Sequence, residues 1–199
     1  MPSTRLEAFS DGVLAIIITI MVLELHPPEG ASWQDLVHTS GLSLLTYVVS
    51  FAYVGIYWVN HHHLFQLVEK IDGKVLWANL FLLFWLSLFP FTTAWMDDTR
   101  LARIPVLVYG VDLLLAAAAY ALLEHVLMTR HGSDSVFHQT LNRDVKTIIS
   151  PVLYGVGILA ALCASSLPPR AGVIIALGCY VLVALMWIVP NPRVERSLR

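Results

Sequence analysis

Six long apolar runs divide the 199-residue chain into segments whose length suits a lipid bilayer. A membrane-spanning helix needs about 20 predominantly apolar residues. Short links that contain Pro, Gly or Asp separate the runs, as at Asp72-Gly73 and Pro168-Pro169. The pattern predicts an all-α membrane protein that forms one domain over residues 1–199, with six transmembrane helices at about residues 9–25, 42–60, 75–96, 104–128, 145–167 and 171–189.

The composition narrows the class of protein further. Hydrophobic residues make up 57% of the chain and charged residues 13%, whereas a typical soluble domain carries about 25% charged residues. The formal net charge of −2 provides no strong positive field for an anionic polymer. We therefore exclude a disordered chain, an ordinary soluble enzyme and a nucleic-acid-binding protein, and we expect a lipid bilayer around the six helices.

The distribution of basic residues predicts how the chain sits in the membrane. If the N-terminus is cytoplasmic, nine of the twelve Lys and Arg residues lie on the cytoplasmic side, and only Arg100, Arg103 and Arg170 lie outside. Short cytoplasmic loops of membrane proteins carry the excess of Lys and Arg. We therefore expect a multi-pass protein of the cell membrane with both termini in the cytoplasm.

The first apolar run is short and has charged ends. Only twelve uncharged residues separate Asp11 from Glu24, and as a helix they cover roughly 18 Å. The hydrocarbon core of a bilayer is about 30 Å thick, so a lone helix in lipid would hold these carboxylates close to hydrocarbon. We expect this helix to be surrounded by other helices or to line water.

One face of the first helix carries aliphatic side chains and a single hydroxyl. The spacing i, i+4, i+7, i+8, i+11 places these positions in one stripe: Gly12, Ile16, Thr19, Ile20 and Leu23. Two interpretations are open. The stripe is either ordinary core packing or the wall of a pore, where aliphatic rings close the path by dewetting and hydroxyls replace part of an ion's water shell.

Two polar motifs lie at the start of the first run and at the end of the second. R-x-x-x-F-S-D covers residues 5–11, and W-x-N-H-H covers residues 58–62. Their defining residues are Arg5, Phe9, Ser10, Asp11, Trp58, Asn60, His61 and His62. With the six-span layout, the motifs resemble the transmembrane protein 175 family of potassium channels, of the endosomal/lysosomal type, in its short prokaryotic form.

The resemblance implies a channel that favours potassium over sodium and lacks the usual potassium filter. It also implies a homotetramer built around the first helix, with the permeant potassium ion in place of any cofactor. The family's narrow hydrophobic gate corresponds to Ile16, its selectivity hydroxyl to Thr19, and further pore positions to Ile20 and Leu23. Some members carry an additional hydroxyl where this chain has Ala15.

The charged motif residues need partners at membrane depth. We expect Asp11 and Ser10 to join Trp58, Asn60 and one His in a polar network. The network would link the start of the first helix to the end of the second, which lie on the same side of the membrane. The alternative is that Ser10 caps the start of the helix and that the negative charge of Asp11 interacts favourably with the helix dipole. Arg5 lies six residues from Asp11 and is expected to reach a different neighbour.

The histidine triplet and Asp112 are the remaining candidates for chemistry. Adjacent histidines of a helix point about 100° apart, so the triplet at residues 61–63 cannot bind one metal ion together, and we predict no metal site and no enzyme. Asp112 lies within the fourth run, where we favour a hydrogen bond to a neighbouring helix. The alternative functions are a proton-coupled or proton-conducting transporter and a non-conducting membrane scaffold.

Overall fold

The chain forms a bundle of helices in a computed structural model that describes residues 2–66, 68, 71–131, 145–163 and 170–188. A short helical turn, Trp33–Asp35, and a π-helical segment, Leu36–Ser40, lead directly into the second long helix. The long helices are α1 (Ser3–Leu23), α2 (Gly41–Gln66), α3 (Gly73–Ser87), α4 (Phe89–Asp98), α5 (Arg103–His131), α6 (Val145–Leu162) and α7 (Ala171–Ile188).

The predicted all-α fold with six spans is confirmed. Within the described residues, six helical segments are long and apolar enough to cross a membrane: Ser3–Leu23, Trp33–Gln66, Gly73–Asp98, Arg103–Thr129, Val145–Leu162 and Ala171–Ile188. The first begins at Ser3 rather than near residue 9, because the charged motif residues continue the helix instead of ending it. The predicted span ends at residues 164–167 and 189 lie outside the described residues.

The third span consists of two helices rather than one. α3 ends at Ser87 and α4 begins at Phe89, with Pro90 in the first turn of α4. Proline has no N–H and is accommodated in the first turn of a helix, where that group has no helical partner. Both helices pack against α1 and α5, and α4 also packs against α2.

Tyr180 of α7 packs at the centre of the bundle. A methyl group added at Gly110 of α5 would lie 1.9 Å from the Tyr180 hydroxyl oxygen, and one added at Gly157 of α6 would lie 2.5 Å from its ring. Tyr53 of α2 donates a 2.5 Å hydrogen bond to the Tyr180 carbonyl. The two glycines therefore make room for a buried ring at which four helices meet.

Candidate functional site

The first helix has one face buried by its own chain and one face uncovered. It packs against α2, α3 and α4. Its buried residues recur every three or four positions: Leu6, Ser10, Leu14, Ile17 and Met21. The stripe of Gly12, Ile16, Thr19, Ile20 and Leu23 is exposed throughout, with Ile16 59% and Leu23 80% exposed. One chain alone therefore leaves this stripe open to lipid, water or another copy.

Thr19 presents its hydroxyl oxygen on the same stripe. The hydroxyl donates to the Ile16 carbonyl at 2.8 Å. A hydroxyl has one donor and two acceptor lone pairs, so donation to the backbone leaves the oxygen's lone pairs for another group. On an exposed face, that group can be water or a cation.

Asp11 is held by the second helix. The Trp58 indole Nε1 donates to Asp11 Oδ1 at 3.0 Å. The Trp58 ring also stacks on His62, with ring centroids 6.1 Å apart and planes 19° apart. The sequence placed Asp11 and Trp58 in one network, and the structure brings them into direct contact.

Glu7 forms a second contact between the same two helices. His62 Nδ1 lies 2.6 Å from Glu7 Oε1, and His62 Nε2 lies 2.8 Å from the Gln66 amide nitrogen. Glu7 has no predicted role, because the apolar run predicts a helix start after this residue. Once the helix begins at Ser3, Glu7 lies one turn before Asp11 on the same face.

A buried hydrogen-bonded chain joins three helices beside these contacts. Asn79 of α3 donates to Ser10 Oγ at 2.9 Å, and its amide oxygen lies 2.8 Å from His61 Nε2. Ser10 donates in turn to the Leu6 carbonyl at 3.0 Å. All three side chains are buried. Asn79 was not predicted to take part, because its signal in the sequence is a single amide within an apolar run.

The remaining motif residues lie outside this network. Asn60 donates to the Ile56 carbonyl of its own helix at 2.8 Å. Arg5 is exposed and forms no hydrogen bond or ion pair with the described residues, and Phe9 is 53% exposed. Ser10 lies well inside α1 and does not cap its start. The network thus uses two of the four defining residues of the first motif.

Asp112 forms the interhelical hydrogen bond that the sequence favours. Thr92 of α4 donates to Asp112 Oδ2 at 3.0 Å, and Oδ1 is buried without a partner among the residues described. A structural role at the α4–α5 contact accounts for Asp112 Oδ2. No group of three His, Cys, Asp or Glu side chains within the described ranges could hold a metal ion.

Comparison with known proteins identifies the family. The model of the family described as "Endosomal/lysosomal potassium channel TMEM175" matches residues 5–90, which include the polar network between α1, α2 and α3. A potassium channel of Chryseobacterium sp. (strain P1-3) is 50% identical over 199 residues, covering 100% of this chain and 99% of that protein. The chain belongs to the TMEM175 family. Members of this family are channels and not enzymes, as the sequence predicts.

Other TMEM175 proteins extend the comparison. The crystal structure of a lysosomal potassium-selective channel TMEM175 homologue from Chamaesiphon minutus matches with a TM-score of 0.72 and 29% identity, covering 96% of this chain and 98% of that chain. The endosomal/lysosomal proton channel TMEM175 of Gallus gallus is 31% identical over 134 residues, which are 63% of this chain and 25% of that protein. The likeness to the solved channel therefore extends over nearly the whole bundle.

Proposed function

We propose that this TMEM175 chain is a potassium-selective cation channel in which four identical subunits surround a pore lined by α1. The observation that carries the proposal is the exposed stripe of α1. Ile16, Thr19 and Leu23 lie uncovered, while the opposite face is fixed to α2 and α3 by hydrogen bonds at Asp11 and Ser10. A helix anchored on one side and open on the other suits a pore wall.

The aliphatic positions of the stripe supply the gate. Four copies of Ile16 would form an apolar ring, with a ring of Ile20 about 6 Å and a ring of Leu23 about 10 Å further along the helix axis. Water leaves a narrow apolar constriction, and ions cannot pass without water or other ligands. Conduction then requires that α1 move enough to wet the ring at Ile16.

Thr19 supplies oxygen ligands between the aliphatic rings. Its proton is used by the Ile16 carbonyl at 2.8 Å, so that four Thr19 oxygens would face the axis as acceptors. Oxygen acceptors at close quarters replace part of an ion's hydration shell and discriminate between ions by size and field strength. The names of the bacterial relatives as potassium channels support potassium as the favoured ion.

The membrane orientation follows the basic residues. We place both termini in the cytoplasm, because most Lys and Arg residues then lie on that side. The contacts of Asp11 and Glu7 with α2 would fix the cytoplasmic end of α1, and Leu23 would lie towards the outside.

The test of the function is single-channel recording of purified protein in planar bilayers with potassium on one side and sodium on the other. We expect a reversal potential displaced towards the potassium equilibrium potential. Bilayers fused with protein-free vesicles serve as the control. A reversal potential at zero, or no current from protein that chemical cross-linking shows to be tetrameric, contradicts the proposal.

Replacing Thr19 by valine is expected to reduce the preference for potassium. Valine preserves the branched shape and removes the oxygen, so the reversal potential between potassium and sodium should move towards zero. Thr19→Ser keeps the hydroxyl and is the matched control, with a reversal potential close to that of the wild type. If Thr19→Val and the wild type reverse at the same potential, Thr19 has no part in ion discrimination.

Proton conduction is the second candidate function. The vertebrate relatives are named endosomal/lysosomal proton channels, and they match up to 68% of this chain. Recording with a pH difference across the bilayer, in solutions without potassium or sodium, separates the two functions. A reversal potential that follows the proton gradient supports proton conduction, whereas absence of current restricts the channel to larger cations.

A further inference from the structure

A cavity of about 170 Å³ lies between α2, α5, α6 and α7, away from the exposed stripe of α1. Small side chains on α5, among them Ala117 and Ala118, leave the space, and Pro151 of α6 forms part of the opposite wall. An apolar cavity of about 150 Å³ is large enough to hold benzene. The space therefore suits one ring or a short hydrocarbon chain.

The cavity is apolar at one end and polar at the other. Leu114 and Tyr53 line the part that lies midway along their helices. Asn60 and Glu124 line the part nearer the ends of α2 and α5 that lead to the cytoplasmic side in the proposed orientation. Leu114 and Glu124 are separated by about 15 Å of helix. A ligand that fits must itself have an apolar body and a polar end.

The polar end offers acceptors, because several of its donors are already in use. The Trp187 indole donates to Ser150 Oγ at 2.8 Å, and Ser150 donates to the Lys146 carbonyl at 2.7 Å. The Asn60 amide nitrogen donates to Ile56, which leaves its carbonyl oxygen as an acceptor. Tyr120 hydrogen-bonds to Glu124, and a carboxylate accepts up to about four hydrogen bonds.

We propose that this cavity binds a small lipophilic amine, with its ammonium group at the end that contains Glu124 and Asn60. An ammonium group carries three donors and no acceptor, which complements a carboxylate and an amide oxygen. The rings of Tyr57 and Tyr120 also line the cavity, and aromatic rings attract cations. The Trp187 ring is already covered by the Lys146 ammonium, 5.7 Å from its centroid. The hydrocarbon part then fills the apolar space beside Leu114. This site is separate from the pore, and it does not depend on the proposed ion selectivity.

The test uses the full-length protein in detergent and three probes with the same phenylethyl skeleton: phenethylamine, 2-phenylethanol and phenylacetate. Their binding is measured by calorimetric titration at pH 7.5 and by the shift in melting temperature. We expect the amine to bind and to raise the melting temperature, while the alcohol and the carboxylate have little effect. Equal binding of amine and alcohol, or no binding of the amine, overturns the proposal.

Variants locate the bound amine. Ala118→Leu fills the cavity from an exposed position and should abolish binding, whereas Ala102→Leu lies outside the cavity and should not. Glu124→Gln should weaken amine binding about tenfold, since a hydrogen bond to a charged group contributes at least about 1.4 kcal/mol. Asp98→Asn removes a carboxylate elsewhere and is its control. Undiminished binding to Ala118→Leu shows that the amine sits at another site and overturns the assignment.

Discussion

Replacing Ile16 with asparagine is expected to raise the channel current about tenfold, because a barrier lowered by about 1.4 kcal/mol increases a rate tenfold. Four amides in place of four aliphatic side chains would hydrate the constriction and remove the dewetting barrier. Ile16 is 59% exposed in the single chain, so the substitution leaves the subunit core unchanged. Flux from potassium-loaded liposomes and single-channel conductance measure the effect.

The matched control for this substitution lies on the same helix. Val22 is 45% exposed, but it points about 120° away from Ile16 around the helix. Val22→Asn adds the same amide to α1 and is expected to leave the conductance unchanged. Equal currents from Ile16→Asn and the wild type would place the gate elsewhere. An equal rise in current in Val22→Asn would show that an amide at any position of α1 increases conduction.

Replacing Asn79 with leucine is expected to lower the stability of the subunit by about 2–4 kcal/mol, because each buried polar group left without a partner costs about 1–3 kcal/mol. The change removes the hydrogen bond to Ser10 and the one to His61. His61 Nδ1 already lacks a partner in the described part of the chain, so both of its ring nitrogens would then be unpaired. Thermal unfolding in detergent and the yield of monodisperse protein measure the loss.

Asn60 provides the control for Asn79. It lies one residue before His61, but its side chain donates only to the Ile56 carbonyl of its own helix and is partly exposed. Asn60→Leu should therefore cost much less than Asn79→Leu. Similar melting temperatures for the two variants would mean that the hydrogen bonds of Asn79 contribute little to holding α1. α1 would then depend on its apolar face and on the Asp11–Trp58 and Glu7–His62 contacts.

Local sequence patterns were sufficient to predict the number of membrane spans and that each is helical. The runs of apolar residues are properties of single helices, and each run corresponds to a helical segment. The break before Phe89 was not predicted, although Pro90 marks its place, because a proline inside an apolar run is compatible with a kinked helix as well as with a new one. Which of these forms depends on what packs around the residue.

The polar contacts between helices were only partly predictable. Asp11 and Trp58 were expected to meet because two neighbouring spans bring their polar ends to the same side. The contributions of Glu7 and Asn79 depend on the rotation and axial offset of each helix against its neighbours, which are set by packing across distant segments. Periodicity within one segment does not contain that information. The roles of Ile16, Thr19, Ile20 and Leu23 in the pore stay predictions.

The two-faced burial of α1 has an evolutionary consequence. Because Leu14 and Ile17 face the fold while Ile16 and Thr19 face away from it, the proposed pore wall assigns stability and permeation to different positions of one helix. Substitutions on the open face can accumulate without unfolding the subunit. In a channel with the proposed pore wall, a few substitutions on the open face would change which ions pass and how fast, whereas the buried positions tolerate far fewer alternatives.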